Sequence, residues 1–177
     1  MKFLVALAAA GILSLPAIAG DLELGGMKAK VPAGWKEEAP SSNMRLTQFK
    51  LPKADGDSED AEMIIFYFPS GSGSAEDNLK RQLAKFKPPE GKDKVEAKLE
   101  KIKIGKYEAP YQDITGTYLS KSRPVDPAAK VTEKTNYRQL YVVLLTDKGD
   151  FYPTLVGPAK TVEKHKKDFE EVLKGLK

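Results

Sequence analysis

Two continuous apolar runs constrain the fold of this chain more than any other feature. The first, Met63 to Phe68, has the sequence MIIFYF, and the second, Leu140 to Leu145, has the sequence LYVVLL. A short apolar run bounded by acidic residues and proline is typical of a strand whose two faces are both covered. The first run therefore predicts a central strand of a sheet. The second predicts another strongly apolar strand, within Tyr137 to Thr146.

Shorter alternating segments complete the predicted sheet. The alternation predicts strands within five further ranges, 27–31, 45–51, 95–107, 111–119 and 151–156. The polar stretch Lys121 to Asn136 has no periodicity and is predicted to be a long exposed loop. Because hairpins connect most of these strands, the predicted fold class is α+β, a mostly antiparallel sheet flanked by helices.

Two amphipathic helices are predicted to cover this sheet. Ser74 is a suitable N-cap for the first, with Asp77 three residues later, and Pro88 ends it. The second follows Gly157-Pro158 and has an apolar stripe at helical spacing. The stripe consists of Val162, His165, Phe169, Val172, Leu173 and Leu176. The one histidine of the chain is therefore predicted to be packed in the core, not catalytic.

The first 19 residues have the pattern of a cleaved secretory signal peptide. Lys2 precedes an uncharged run, Phe3 to Leu15, and Ala17-Ile18-Ala19 is the small-x-small pattern of a cleavage site. The run is about 13 residues long, which is too short to span a membrane. We therefore expect a secreted or periplasmic protein, a single domain from residue 20 to residue 177, with no transmembrane anchor.

Composition excludes several classes of site and of partner. The chain contains no cysteine, so it has no disulfide, no thiolate metal site and no N-terminal lipid anchor. A net charge of +4 and a pI of 9.0 are compatible with nucleic-acid binding. Export and the interspersion of both charge signs argue against that partner. No cofactor is predicted.

No catalytic residues can be assigned from the sequence. The chain lacks a Gly-x-Ser-x-Gly elbow, and the loop Gly71 to Gly73 lacks the lysine of a phosphate-binding loop. Glu76 and Asp77 also place negative charge where a phosphate would lie. Asp and Glu occur in polar loops and on lysine-rich helix faces, so no pair can be nominated for a hydrolase.

An acidic loop is the one candidate for a metal site. Its oxygen ligands for a cation such as Ca²⁺ would come from Asp55, Asp57, Glu59 and Asp60. An EF-hand requires glycine at its sixth position and glutamate at its twelfth, where this chain has Asp60 and Phe66. A solvated acidic loop that protects the following apolar strand is therefore the favoured interpretation.

Aromatic residues near strand ends are predicted to be exposed and form a candidate recognition surface. Tyrosine and tryptophan are enriched at binding hot spots, although they are also favoured in strands for packing alone. The candidates are Trp35, Tyr107, Tyr111, Tyr137 and Tyr152.

The segment Val31-Pro32-Ala33-Gly34-Trp35 resembles the strand–Pro–x–Gly–Trp entry of the Mog1/PsbP-like fold. The order of predicted elements is also similar over nearly the whole mature chain. Residues 31–68 further resemble secreted bacterial proteins of this size. The resemblance implies an α/β/α sandwich with a non-enzymatic binding or assembly role. Members of the fold dock on a small GTPase or on a photosynthetic membrane complex, but none of their binding residues can be matched to this chain.

Three function hypotheses follow. The first is a secreted binding domain that contacts a protein or an envelope component through the 121–136 loop and the aromatic strand ends. The second is a hydrolase based on carboxylates. The third is a carrier of a small ligand or of Ca²⁺.

Overall fold

The computed structural model describes residues 18–88, 91–95, 97–121 and 128–177. In this part of the chain, nine strands form an antiparallel sheet in the order β3-β4-β5-β11-β9-β8-β6, with β10 on β11 and β7 on β8. The strands β1 and β2 form a separate hairpin. The strands are β1 (Ile18–Leu24), β2 (Met27–Pro32), β3 (Lys36–Glu38), β4 (Arg45–Leu51), β5 (Ala61–Phe68), β6 (Phe86–Lys87), β7 (Ala97–Ile104), β8 (Tyr107–Lys121), β9 (Val131–Val142), β10 (Leu144–Thr146) and β11 (Gly149–Pro158). The helices are α1 (Ala75–Leu83) and α2 (Ala159–Lys174).

The first apolar run lies at the centre of the large sheet, as the sequence predicts, whereas the second run is divided between the end of β9 and the short strand β10. β5 pairs with β4 and β11, and β9 pairs with β11 and β8. Alternate side chains of β5 point to opposite faces. Met63 and Ile65 belong to the same apolar cluster as Phe169 of α2, whereas Phe66 and Phe68 pack in a second cluster with Leu79 of α1. We call these two faces of the sheet the α2 side and the α1 side.

The predicted stripe of α2 is confirmed. Val162, Phe169 and Leu173 have no exposed surface, and His165 is 6% exposed. The Nε2 atom of His165 lies 2.9 Å from the carbonyl oxygen of Pro52, so the ring is held by a backbone group. Neither described helix is long and apolar enough to span a bilayer.

Helix α1 begins as predicted but ends earlier. Ser74 is its N-cap, and its side chain accepts a hydrogen bond of 3.0 Å from the amide of Asp77. The helix ends at Leu83, because Phe86 and Lys87 leave it to pair with β8 as the short strand β6. The prediction that this helix continues to Pro88 is therefore wrong.

The hairpin of β1 and β2 contains a strand that the sequence analysis did not predict. Its turn is Gly25-Gly26, and both residues have positive φ angles, 57° and 90°, as a two-residue turn between strands requires. Leu22 and Leu24 of β1 are buried in the α2-side cluster. A chain cleaved after Ala19 keeps the pairing from Gly20 onwards.

The predicted loop at Lys121 to Asn136 is wrong for its second half. β9 begins at Val131, and its first residues pair with β8 as far as Lys121. Residues 122–127 lie outside the described part of the chain. Most side chains from Val131 to Asn136 are exposed, so this ribbon has no apolar face to produce the alternation that reveals a half-buried strand.

Candidate functional site

The five aromatic residues of the predicted recognition surface do not form one exposed patch. Tyr107 alone is half-buried. The other four are each at most 7% exposed: Trp35, Tyr111, Tyr137 and Tyr152. The expectation that these four are exposed is therefore wrong. Aromatic side chains in strands pack against neighbouring strands, and Tyr152 stacks on Tyr141 with ring centroids 5.8 Å apart.

The buried tyrosine hydroxyls bond to the protein itself. Tyr111 donates a hydrogen bond of 3.1 Å to Glu170 of α2, and burial together with the charge of Glu170 raises the pKa of Tyr111. Ser72 donates a hydrogen bond of 2.7 Å to the hydroxyl of Tyr152 on the α1 side. These hydroxyls thus attach helices and loops to the sheet.

The carboxylates of the acidic loop contact separate protein groups. Asp57 accepts hydrogen bonds from the amide and the hydroxyl of Thr161, at 2.8 Å and 2.6 Å. Glu59 pairs with Lys134 at 2.7 Å, and Asp60 accepts a hydrogen bond of 2.9 Å from the amide of Lys53. Within the described ranges, no group of three or more His, Asp or Glu residues is positioned to hold a metal ion.

Asp57 has a structural role at the start of α2. Pro158 is the N-cap residue and offers no side-chain hydrogen bond, so Asp57 satisfies a free amide of the first turn from a distant loop. Its charge also lies near the positive end of the helix dipole.

Replacing Asp57 with alanine should lower the free energy of unfolding by about 1–2 kcal/mol, the usual value of a helix cap. Urea unfolding of the variant beside Asp55→Ala, a neighbouring carboxylate of the same loop, measures this effect. An equal loss in both variants would contradict a capping role for Asp57.

Tyr107 borders a different surface. At this surface three hairpin turns lie next to each other beside the C-terminal end of α2. The turns are Gly25-Gly26, Gly105-Lys106 and Asp147-Lys148. They border two adjoining depressions of about 380 and 520 Å³, which share Gly105 and Lys177. Five exposed lysines line the depressions, and we call this surface the basic end: Lys103, Lys106, Lys148, Lys174 and Lys177.

The charges of the basic end are only partly balanced. Asp147 is the one lining residue whose side chain is a carboxylate; it lies 3.7 Å from Lys106 and accepts a hydrogen bond of 2.5 Å from Tyr107. That hydrogen bond and the charge of Lys106 lower the pKa of Asp147. Lys174 lies 3.6 Å from Glu170. The other three lysines form no ion pair with a described residue: Lys103, Lys148 and Lys177.

Glycine at the turns allows the hairpins to approach each other closely. A β-carbon on Gly26 would lie 3.4 Å from the Nζ atom of Lys148. A β-carbon on Gly105 would lie 3.0 Å from the sulfur of Met27, and the positive φ of Gly105, 53°, also disfavours a larger residue. The turns therefore hold the lysines together at one end of the molecule.

Comparison with known proteins identifies the fold. Neither a protein-family model nor a curated protein matches the sequence. The solution structure of cyanobacterial PsbP (CyanoP) from Synechocystis sp. PCC 6803 is similar, with a TM-score of 0.51 over 97% of this chain and 98% of that one. This chain has a PsbP-like fold. The identity is 16%, so the likeness concerns the fold alone.

The sequence analysis did not predict the basic end of this PsbP-like domain. Its lysines are spread from residue 103 to residue 177 and form no continuous basic segment. The one local signal is that two of them, Lys106 and Lys148, are next to a glycine, a residue common in turns. Only the pairing of the strands brings these turns together.

Proposed function

We propose that this protein is an exported, non-enzymatic binding domain that docks through its basic end on an anionic surface of the cell envelope. The observation that carries the proposal is the group of five exposed lysines around two adjoining depressions, whose lining residues include a single acidic side chain, that of Asp147. Exposed lysines close to an anionic membrane surface each add about 1 kcal/mol to binding. Tyr107, one of the aromatic residues predicted from the sequence to take part in recognition, borders the same surface.

Two further features support a binding role over a hydrolase. A glycosidase-type mechanism needs two carboxylates facing each other across a cleft, whereas the described lining of both depressions has only Asp147. The PsbP-like fold agrees with the non-enzymatic role that the sequence resemblance implies. Lys2, the apolar run after it and the small-x-small pattern at Ala17 to Ala19 support export.

Sedimentation with lipid vesicles tests the proposal. The protein is purified after export, and its intact mass is expected to correspond to a chain that begins at Gly20. We expect it to bind vesicles of phosphatidylcholine with phosphatidylglycerol, to bind pure phosphatidylcholine weakly, and to dissociate as salt is raised. Replacing Lys103, Lys148 and Lys177 with glutamine should reduce binding by about 100-fold, since each lysine contributes about fivefold.

A matched triple variant controls for net charge. Lys36, Lys80 and Lys130 are also exposed but lie away from the basic end, so their replacement with glutamine changes the net charge equally. Binding of this variant should remain within about tenfold of the natural protein. An equal loss in both triple variants, or no binding of the natural protein to the anionic vesicles, would refute the docking surface.

A further inference from the structure

Strand β7 is an open edge of the large sheet. It pairs with β8, and no other strand in the described part of the chain pairs with it. Residues 98–101 are exposed, whereas Ile102 and Ile104 are buried in the α2-side cluster. Leu99 is 60% exposed, more than any other large apolar side chain among the described residues. An open edge of this kind can accept another strand through its free backbone groups.

The geometry of the β7–β8 hairpin determines which backbone groups of β7 are free. The pair that flanks a two-residue turn, here Ile104 and Tyr107, is hydrogen-bonded, and such pairs alternate along the ladder with pairs that make no hydrogen bond. Leu99 and Lys101 therefore direct their N–H and C=O groups away from β8. Pro110, opposite Lys101, agrees with this alternation, because it has no N–H and its carbonyl accepts a hydrogen bond of 3.0 Å from the other side of β8.

The exposed part of β7 carries both charge signs. Lysines on an open edge normally oppose the addition of a second strand. Here Lys98 and Glu100 lie on the same face of the strand, with the lysine Nζ 2.5 Å from a carboxylate oxygen of Glu100. This pair of opposite charges, two residues apart, can be matched by the same pair on an antiparallel strand of identical sequence.

One register of two antiparallel β7 strands matches both the backbone and the charges. The free backbone groups can face each other only if a residue lies on the twofold axis between the strands. With Leu99 on that axis, Leu99 faces its own copy and Ala97 faces Lys101, and all of these are positions with free backbone groups. In the same register Lys98 of each copy lies directly opposite Glu100 of the other. Opposite charges in directly facing positions stabilise a strand pair.

The neighbouring registers place like charges opposite each other. With Lys98 or Lys101 on the axis, a lysine faces a lysine, and with Glu100 on the axis, a glutamate faces a glutamate. Like charges directly opposite destabilise a strand pair. Among the exposed residues 98–101, Leu99 is therefore the one axis position that avoids such a pair.

We propose that β7 is a homodimerisation edge, at which two copies of this chain pair antiparallel about a twofold axis at Leu99. The two leucines would lie side by side on the α1 side of the joined sheets, and the lysines and glutamates would alternate on the α2 side. A strand pair of this length buries less than the roughly 1,000 Å² of a stable interface, so the dimer is expected to be weak and to depend on concentration. The turn Gly105-Lys106 of the basic end lies outside the paired segment 97–101.

Sedimentation equilibrium of the exported chain without lipid tests the dimer. At concentrations from about 10 μM to about 1 mM, the range of weak complexes, we expect an equilibrium between monomer and dimer. Amide hydrogen exchange locates the contact, since the amides of Leu99 and Lys101 should exchange more slowly at the higher concentrations.

Exchanging the charges of Lys98 and Glu100 distinguishes this register from any other contact. Lys98→Glu alone, or Glu100→Lys alone, places like charges opposite each other and should weaken the dimer at least about tenfold. The double variant restores opposite charges, so its dissociation constant should return to within about threefold of the natural value. An equimolar mixture of the two single variants should associate more strongly than either variant alone.

Lys36→Glu is the matched control for net charge. Lys36 is exposed on β3, at the opposite edge of the sheet, so its replacement changes the net charge as Lys98→Glu does and should leave the dimer unchanged. A monomer at every concentration, an equally strong dimer in both single variants, or a double variant that does not recover would each overturn the inference. Because no lipid is present, these results are independent of docking through the basic end.

Discussion

Replacing Lys85 with methionine should make the folded protein more stable at pH 7, by about 2 kcal/mol. Most substitutions destabilise a protein, so the expected sign is unusual. The reason is that the folded state holds the pKa of Lys85 at about 8, whereas the ordinary value is 10.5. At neutral pH the protein therefore carries the cost of a half-buried ammonium group whose charged form is also disfavoured by the positive charges of Arg81 and Arg45, and methionine fills a similar volume without charge.

The gain should depend on pH in a defined direction. Between pH 8 and pH 10.5 the unfolded chain keeps its proton while the folded protein loses it, so the stability of the natural protein rises with pH across this window. The difference in free energy of unfolding between Lys85→Met and the natural protein is therefore largest below pH 8 and decreases towards pH 10.5. Urea unfolding at several pH values measures it.

Lys80→Met is the matched control for this experiment. Lys80 is exposed on α1, the helix that ends two residues before Lys85, and it pairs with Glu76 at 2.7 Å; this hydrogen-bonded pair raises the pKa of Lys80. Its loss should not stabilise the protein at any pH. A gain for Lys85→Met that is equally large at pH 7 and at pH 10.5 would show that packing, not charge, is responsible.

The parts of the fold that the sequence predicts are those whose burial leaves a pattern. The run Met63 to Phe68 is apolar in every position because β5 is covered on both sides, and the stripe from Val162 to Leu176 is apolar because α2 lies on the sheet. Ser74 could be predicted as the N-cap of α1 because the first turn of a helix has free amides, and a serine side chain can accept a hydrogen bond from one of them.

The parts that the sequence does not predict have no such pattern. The first half of β9 is mostly exposed, and β6 is a two-residue strand that begins three residues after the last residue of α1. Both β6 and the first half of β9 are held by backbone hydrogen bonds to β8, and any residue except proline can donate such a bond. Side-chain periodicity carries no information about such pairing.

The basic end and the burial of Lys85 were harder to predict than the fold, for a related reason. The lysines of the basic end belong to separate turns and to α2, and only the strand order assembles them. Lys85 is one of many lysines in the chain, and nothing in its neighbours along the sequence marks it as half-buried with no ion pair among the described residues. The basic end and the burial of Lys85 both depend on contacts between distant segments, so a single sequence without its structure does not identify them.

Replacing Arg138 with methionine should destabilise the protein by about 3 kcal/mol. Arg138 lies on β9 and donates two hydrogen bonds of 2.7 Å to the carboxylate of Asp113 on β8, and a third to Glu163 of α2. The side chains of Arg138 and Asp113 are only 17% and 16% exposed, so the pair is shielded from water. Removing the arginine leaves a mostly buried carboxylate without its partner, which costs more than the pair itself contributes.

A double variant separates this explanation from a simple loss of packing. If the unpaired charge of Asp113 is the cause, then Asp113→Leu combined with Arg138→Met should recover most of the lost stability, because both charges are gone from the shielded position. Thermal and urea unfolding of the two single variants and the double variant give the coupling free energy between Arg138 and Asp113. Additive losses would mean that Arg138 stabilises the protein through its contact with α2, and Glu163→Gln should then cost as much as Arg138→Met. The expected order is that Glu163→Gln costs far less, since Glu163 is 66% exposed and stays solvated without its partner.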